Sequence, residues 1–170
     1  MKLREVQLED KDNIWEYRRE FLEESDHVPG AAYIDEAKNF EEWFEFVQKV
    51  KSEDTVPEGS VQAKTYVAMD DKNENILGII NFRFKLNKYL LHRGGHIGYS
   101  VRKSERRKGF AKEMVRLCLE EARKMGIDRI LITCNAENIA SENTIKANGG
   151  KLENIVMDED ERVKRFWIEL

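Results

Sequence analysis

One stretch, from Gly95 to Gly150, limits what this 170-residue chain can fold into. It opens with Gly95-His96-Ile97-Gly98-Tyr99-Ser100-Val101, where Ile97, Tyr99 and Val101 alternate with His96, Gly98 and Ser100. A period of two is that of a strand with two unlike faces. Past Ala111 the period changes: Ala111, Met114, Val115, Cys118, Ala122 and Met125 recur at the spacing of one buried helix face. The turn between strand and helix carries Arg102, Lys103, Arg106, Arg107, Lys108 and, just inside the helix, Lys112, against a single Glu105. Gly109 stands where the helix begins. The first N–H groups of a helix have no intrahelical partner, and its dipole adds positive charge there. A glycine without Cβ lets an anion approach the main chain, so the turn reads as a phosphate site.

Downstream, Arg129-Ile130-Leu131-Ile132-Thr133-Cys134 is a short apolar run suited to a buried strand, and Asn138 to Gly150 reads as a helix closed by glycine. In this order the motifs resemble the GNAT acyl-CoA N-acyltransferase superfamily. Arg106-x-x-Gly109-x-Ala111 is similar to its Arg/Gln-x-x-Gly-x-Gly/Ala pyrophosphate signature, and Asn138-Ile139-Ala140-Ser141 to its Asn-x-x-Ala/Ser segment. Gly94 to Arg102 together with Asn148-Gly149-Gly150 resembles, more narrowly, a bacterial subgroup of predicted acetyltransferases.

The resemblance implies a mixed α/β (α+β) GNAT fold. Its mixed, mostly antiparallel sheet has six to seven strands and about four flanking helices, and splays between the fourth and fifth strands to hold a pantetheine arm. It also implies acetyl-CoA as co-substrate, no metal, and direct transfer of acetyl to a primary amine of a small molecule or peptide. Carried onto this sequence, backbone groups of Tyr99, Ser100 and Val101 pair with the pantetheine arm. The turn from Arg106 and Arg107 through Lys108, Gly109, Phe110 and Ala111 cradles the pyrophosphate, and Asn138, with Ser141 nearby, reaches the pantetheine. In one respect the sequence departs from the family. Many members carry a tyrosine in the second motif to protonate the leaving thiolate, and Ile145 stands at that position here. The alternative is therefore a GNAT-like module that binds acyl-CoA without turnover, as a sensor or interaction domain.

Length and order point to one domain over residues 1–170. The order reads strand, two helices, three strands, helix, strand, helix, and a final hairpin, which is mixed α/β rather than a doubly wound sheet. A first helix is expected from Asp10 or Asp12 to about Glu24, and a second from about Asp35. Lys88 to His92 reads as a short helix or an ordered loop, and Asp70 to Asn75 as a hairpin turn. No apolar run is long enough to span a bilayer, and Met1 to Glu5 lacks the apolar core of a signal peptide. Cys118 and Cys134 read as two reduced, structural thiols, so the protein is expected in the cytoplasm, as a monomer or homodimer. A net charge of −4 argues against nucleic acid as a partner. The distribution is uneven: Glu9 to Glu58 holds 16 acidic against 6 basic residues, and Val101 to Lys112 six basic against one acidic. The acidic region suggests a cationic acceptor.

The candidate catalytic residue is His96, whose ordinary pKa of about 6.5 suits a general base; the competing role is a histidine hydrogen-bonded beneath the sheet. Arg83 and Asn81 share a strand face and read equally as substrate contacts or as one wet face of the sheet. Asn87 and Tyr89 follow them, and Tyr33, with Asp26, His27 and Asp35, belongs to the loop between the first helices, which borders the acceptor in GNAT folds. No histidine, cysteine and carboxylate cluster has metal-ligand spacing.

Overall fold

The computed structural model describes residues 1–72 and 75–170, in which strands pair only with antiparallel neighbours and fall into two sets. In chain order the elements are β1 (Lys2–Glu5), α1 (Lys11–Leu22), α2 (Phe40–Lys49), β2 (Ala63–Met69), β3 (Ile76–Arg83), α3 (Lys88–His92), β4 (Ile97–Val101), α4 (Phe110–Lys124), β5 (Arg129–Asn135), α5 (Ile139–Ala147), β6 (Lys151–Asp158) and β7 (Glu161–Glu169). One sheet runs β1-β2-β3-β4 and the other β5-β7-β6. Among the described residues, seven strands and five α-helices form the mixed α+β arrangement that the motifs imply. Of the turn expected from Asp70 to Asn75, Asn73 and Glu74 lie outside the described residues.

The two faces of the strands explain the layers. Ile80, Phe82, Ile97 and Val101 bury one side of the first sheet against Met114, Val115, Cys118 and Leu119 of α4 and Ile145 of α5. Val67, Met69, Ile76 and Ile79 bury the other side against Ile14, Tyr17 and Phe21 of α1 and Phe40, Trp43 and Val47 of α2. Because β2 and β3 are covered on both faces, they read as continuous apolar runs rather than as alternating ones. Both cysteines are buried and unpaired. No helix among the described residues is long and apolar enough to cross a membrane.

Two helix starts differ from the sequence pattern, for identifiable reasons. Asp10 occupies the position before α1, but its carboxylate accepts from Arg4 at 2.7 and 2.8 Å and from the Gln7 N–H rather than capping the helix. The second helix begins at Phe40 and not near Asp35, because Asn39 supplies the cap, its Oδ1 accepting from the Glu42 N–H at 2.9 Å. Before it the chain makes tight turns in which Ala32 and Tyr33 adopt φ of 51° and 61°.

That loop packs onto β4 where neither backbone has a side chain. Gly30 has φ +70°, and a Cβ on it would stand 2.2 Å from the Gly98 carbonyl carbon. Gly59 has a similar φ of +82° with open space around it, so it isolates the conformational cost alone. Gly59→Ala is expected to cost about 1–2 kcal/mol, the usual penalty of a left-handed residue bearing a Cβ. Gly30→Ala should cost roughly 1–3 kcal/mol more, since overpacking adds to that penalty. Denaturant melts of the two variants against the parent check this difference.

Candidate active site

Hydrogen bonding along β4 decides what that strand can offer a ligand. The Arg102 N–H donates to the Leu77 carbonyl and the Arg83 N–H to the His96 carbonyl, each at 2.8 Å. With the register Ile79↔Ser100 and Ile80↔Tyr99, antiparallel alternation makes Ser100 a bonded partner of Ile79. The same alternation turns the backbone groups of Ile97, Tyr99 and Val101 away from β3. On that side β4 meets β5 only at its root, where the His96 N–H donates to the Leu131 carbonyl at 2.8 Å. The Leu131 N–H in turn donates to Nδ1 of the His96 ring at 2.9 Å. Beyond this clasp the strands part.

The gap opens into a cavity of about 1150 Å³. One end is lined by Arg106, Arg107, Gly109, Phe110, Ala111 and Lys112, and the other by Tyr33, Phe46, Arg83, Asn87 and Tyr89, with Tyr99, Ser141 and Thr144 on the wall between. Gly109 precedes α4 with φ +87° and no side chain caps the helix. The helices α2, α3 and α5, by contrast, are each capped by an asparagine side chain. The first N–H groups of α4 are therefore presented to the cavity end, and a Cβ at Gly109 would meet nothing within 4 Å. Arg107 and Lys112 add charge at this end. The other cations of the turn are engaged elsewhere. Arg102 pairs with Glu20 at 2.5 Å, Lys103 with Glu24, and Lys108 with Glu105 at 3.0 Å. Arg106 lies over the Phe21 ring at 5.4 Å, and its Nε donates to the Val101 carbonyl at 3.2 Å.

The opposite wall comes from α5. Asn138 caps that helix, its Oδ1 accepting from the Ser141 N–H at 3.0 Å. Ser141 Oγ lies 2.9 Å from the Tyr99 hydroxyl. Burial pushes the Tyr99 phenol up to about 12, so at neutral pH it keeps its proton. At the far end, Trp43 Nε1 holds the Ala31 carbonyl at 2.8 Å and Arg18 Nε the Ile34 carbonyl at 2.8 Å. The loop so fixed presents Tyr33 to the cavity, edge-on to Phe46 with centroids 5.9 Å apart.

Most of the residues expected from sequence thus come together around one space, and the exceptions are physical. Ser100 spends its backbone on β3 and its hydroxyl on Tyr17 at 3.0 Å, so it does not offer main-chain groups to a ligand in the gap. The Val101 carbonyl is taken by Arg106. Lys108 turns to Glu105 and is absent from the cavity wall. The acidic excess of the first third does not reach the cavity either. Asp10, Glu41, Glu20 and Glu24 serve Arg4, Lys11, Arg102 and Lys103, and Glu105 is the one carboxylate among the lining residues described. The expectation of a cationic acceptor loses its basis. Tyr99 and Ser141 thus stand on the cavity wall with Thr144, which the sequence reading did not name, because its place one turn from Ser141 on α5 shows only once that helix is packed. No group of three or more His, Cys, Asp or Glu side chains could hold a metal ion among the described residues.

The chain matches the family model for an acetyltransferase (GNAT) domain over residues 1–151, and it belongs to that family. Among curated proteins, none matches the sequence. Solved structures do. The ribosomal-protein-S5-alanine acetyltransferase of Vibrio fischeri superposes with a TM-score of 0.74 at 17% identity, over 98% of this chain and 91% of that one. A RimL ribosomal L7/L12 α-N-protein acetyltransferase in complex with coenzyme A gives 0.72 at 16% identity, over 99% and 93%. A spermidine N-acetyltransferase SpeG chimera from Vibrio cholerae and hSSAT gives 0.70 at 17% identity, over 99% and 96%. At these identities the likeness is one of fold.

Two residues weighed for catalysis lie away from the cavity. Ile145 is fully buried in the core between sheet and helices, so the position of the family's tyrosine does not face the cavity here. His96 is buried, absent from the cavity wall, and its Nδ1 lone pair is occupied by the Leu131 N–H. Desolvation, with Arg83 and Arg129 nearby, lowers its pKa to about 4. A neutral imidazole accepting at Nδ1 carries its proton on Nε2 and has no lone pair left for a substrate proton. The beneath-the-sheet role is the one the geometry supports. Since its folded pKa lies below the unfolded value of about 6.5, the folded state binds fewer protons, so stability from this group is present above pH ~6.5 and lost as pH falls towards 4. His96→Gln should lower the melting temperature at pH 7.5 and flatten the fall in stability between pH ~6.5 and 4. Melting curves across that range check it; an unchanged slope assigns the proton uptake to another group.

Proposed function

We propose that residues 1–170 form one acetyltransferase domain that transfers acetyl from acetyl-CoA to a primary amine. The observation that carries this reading is the continuous cavity between an uncapped, glycine-started helix and a second mouth at Tyr33 and Tyr89. A diphosphate fits the first end. Backbone N–H groups of α4 point there, Gly109 leaves room, and Arg107 and Lys112 supply charge. The pantetheine arm then runs along the unpaired edge of β4, where the backbone groups of Tyr99, flanked by those of Ile97 and the Val101 N–H, are left to bond it. Structural relatives include a coenzyme A complex and enzymes named for acting on spermidine and ribosomal proteins, which fits an amine acceptor.

Acetyl-CoA supplies a thioester, a carbonyl already open to attack by a neutral amine. In the net reaction the amine nitrogen bonds to the acetyl carbon, the carbon–sulfur bond breaks, and a proton lost by nitrogen ends on sulfur. The chain's task is to align the two partners and exclude other nucleophiles. With Ile145 in the core, the hydroxyls of Tyr99, Ser141 and Thr144 are the proton donors of the α5-facing wall, and Tyr99 stays protonated at neutral pH.

The buried Ile145 also keeps a second reading in play, an acyl-CoA-binding module without turnover. Thiol release from acetyl-CoA in the presence of an amine panel separates the two. For the phosphate end, Gly109→Asp and Gly109→Asn form a matched pair, since both tolerate the left-handed backbone better than most residues and differ by one charge. Gly109→Asp should bind coenzyme A at least tenfold more weakly than Gly109→Asn, about 1.4 kcal/mol or more. Calorimetry giving equal affinities for the pair would remove the diphosphate from this turn.

A further inference from the structure

Arg83 is an arginine with an incomplete set of partners. It ends β3 at the acceptor end of β4, opposite to the Gly109 turn. Its Nη1 donates to the carbonyls of Gly94 at 3.2 Å and Gly95 at 3.1 Å. Among the described residues, Nε and Nη2 have no hydrogen-bond partner, and no carboxylate lies within ion-pair distance of the guanidinium. Yet no fully buried polar side-chain atom among them lacks a partner, so these two nitrogens keep accessible surface. Arg83 lines the cavity, and that is where the surface faces. Nη2 lies over Gly98, 3.5 Å from where a Cβ on that residue would stand. The group is deep enough that desolvation holds its pKa below the ordinary arginine value, with only the phenols of Tyr33 and Tyr89 acting the other way.

Two other arginines with little exposed surface are matched with acids. Arg102 pairs with Glu20, and Arg165 with Glu153, both at 2.5 Å. A charge withdrawn from water and answered by carbonyl dipoles alone is costly. The free edge of a guanidinium is a planar fork that matches a carboxylate with two parallel bonds. Beside it the acceptor end offers the phenols of Tyr33 and Tyr89, the amides of Asn81 and Asn87, and no carboxylate. Arg93 lines the same region, but Asp158 and Glu161 neutralise it.

We propose that Arg83 reads a carboxylate on the acceptor, so that the substrate is an amine bearing a carboxylate close to its nitrogen, as in a free amino acid. This rests on the acetyltransferase reading of the cavity and names its substrate class. Gly98 precedes Tyr99, the residue whose backbone meets the pantetheine arm, so a carboxylate held over Gly98 keeps the attached amine near the thioester. Pairing with Arg83 also offsets the negative charge that holds such an amine in its ammonium form, which favours the neutral nucleophile.

The first test uses the unaltered protein. Thiol release from acetyl-CoA is measured with free amino acids, their decarboxylated amines and their amides. The best free amino acid should exceed its amine and its amide at least tenfold in kcat/KM, in keeping with a charge-assisted bidentate contact. Carboxylate-free amines reacting equally well or better would overturn the proposal. Dipeptides with an acidic second residue form another arm. If they surpass free amino acids, the carboxylate read by Arg83 belongs to a peptide side chain, which still supports an anion reader. Arg83→Met should raise KM for carboxylate-bearing acceptors tenfold or more and leave KM for the matching amines within about twofold. A folded Arg83→Met with unchanged KM for both would sink it. Where no amine releases thiol, the transferase reading falls by itself, and calorimetry with the coenzyme A complex then decides on Arg83. Amino acid binding that needs the carboxylate and vanishes in Arg83→Met upholds the anion site; binding indifferent to the carboxylate, or none, overturns it.

Discussion

Two hydrogen bonds between His96 and Leu131 set the geometry on which the rest of the site depends. A strand leaving one neighbour without acquiring another exposes a row of backbone donors and acceptors, which is unfavourable unless something pairs with them. The chain confines that exposure to a few residues. The main chain and ring of His96 both engage Leu131 and satisfy the root of the gap, and only the odd-numbered positions of β4 beyond it face open space. An imidazole serves here because it offers an acceptor at the right reach while staying neutral in a dry position. Buried beside two arginines, it is held uncharged well below the usual histidine range.

Charge is distributed with the same selectivity. The sequence concentrates acids in its first third and bases in the turn after β4, and the fold brings α1 alongside that turn. Glu20 of α1 takes Arg102, and Glu24, in the turn just after α1, takes Lys103. What remains for a ligand is a subset of the cations, placed around the α4 N-terminus. Counting charges along the chain overstates both regions, since part of each is the counterion of something else.

Much of the fold was legible in the sequence because its signals are local. The change of period at Gly109, the apolar run Arg129–Cys134 and the terminal hairpin each report on their own neighbourhood, and the elements formed there. The glycine-started, uncapped beginning of α4 was legible for the same reason, as glycine, helix start and cations are contiguous. The opposite end of the cavity was not. That Arg83 lacks an acid, that Ser141 faces Tyr99, and that Ile145 points into the core depend on which elements pack together. His96 shows the limit most clearly. Its strand face was readable, but its use was decided by a backbone N–H 35 residues away.

The loop before α2 has a consequence for how such a protein changes its preferences over evolutionary time. Arg18 holds two of its carbonyls and Trp43 one, Gly30 presses on Gly98, and Tyr33 leans on Phe46. Two of its residues, Ala32 and Tyr33, sit in a left-handed conformation that the anchors must impose. A single replacement inside the loop has little freedom to re-aim it, because the anchors belong to α1, α2 and β4. The rim is therefore inherited with the scaffold, and drift towards a new acceptor is channelled to side chains that protrude from a fixed frame, such as Tyr33, Asn87 and Tyr89.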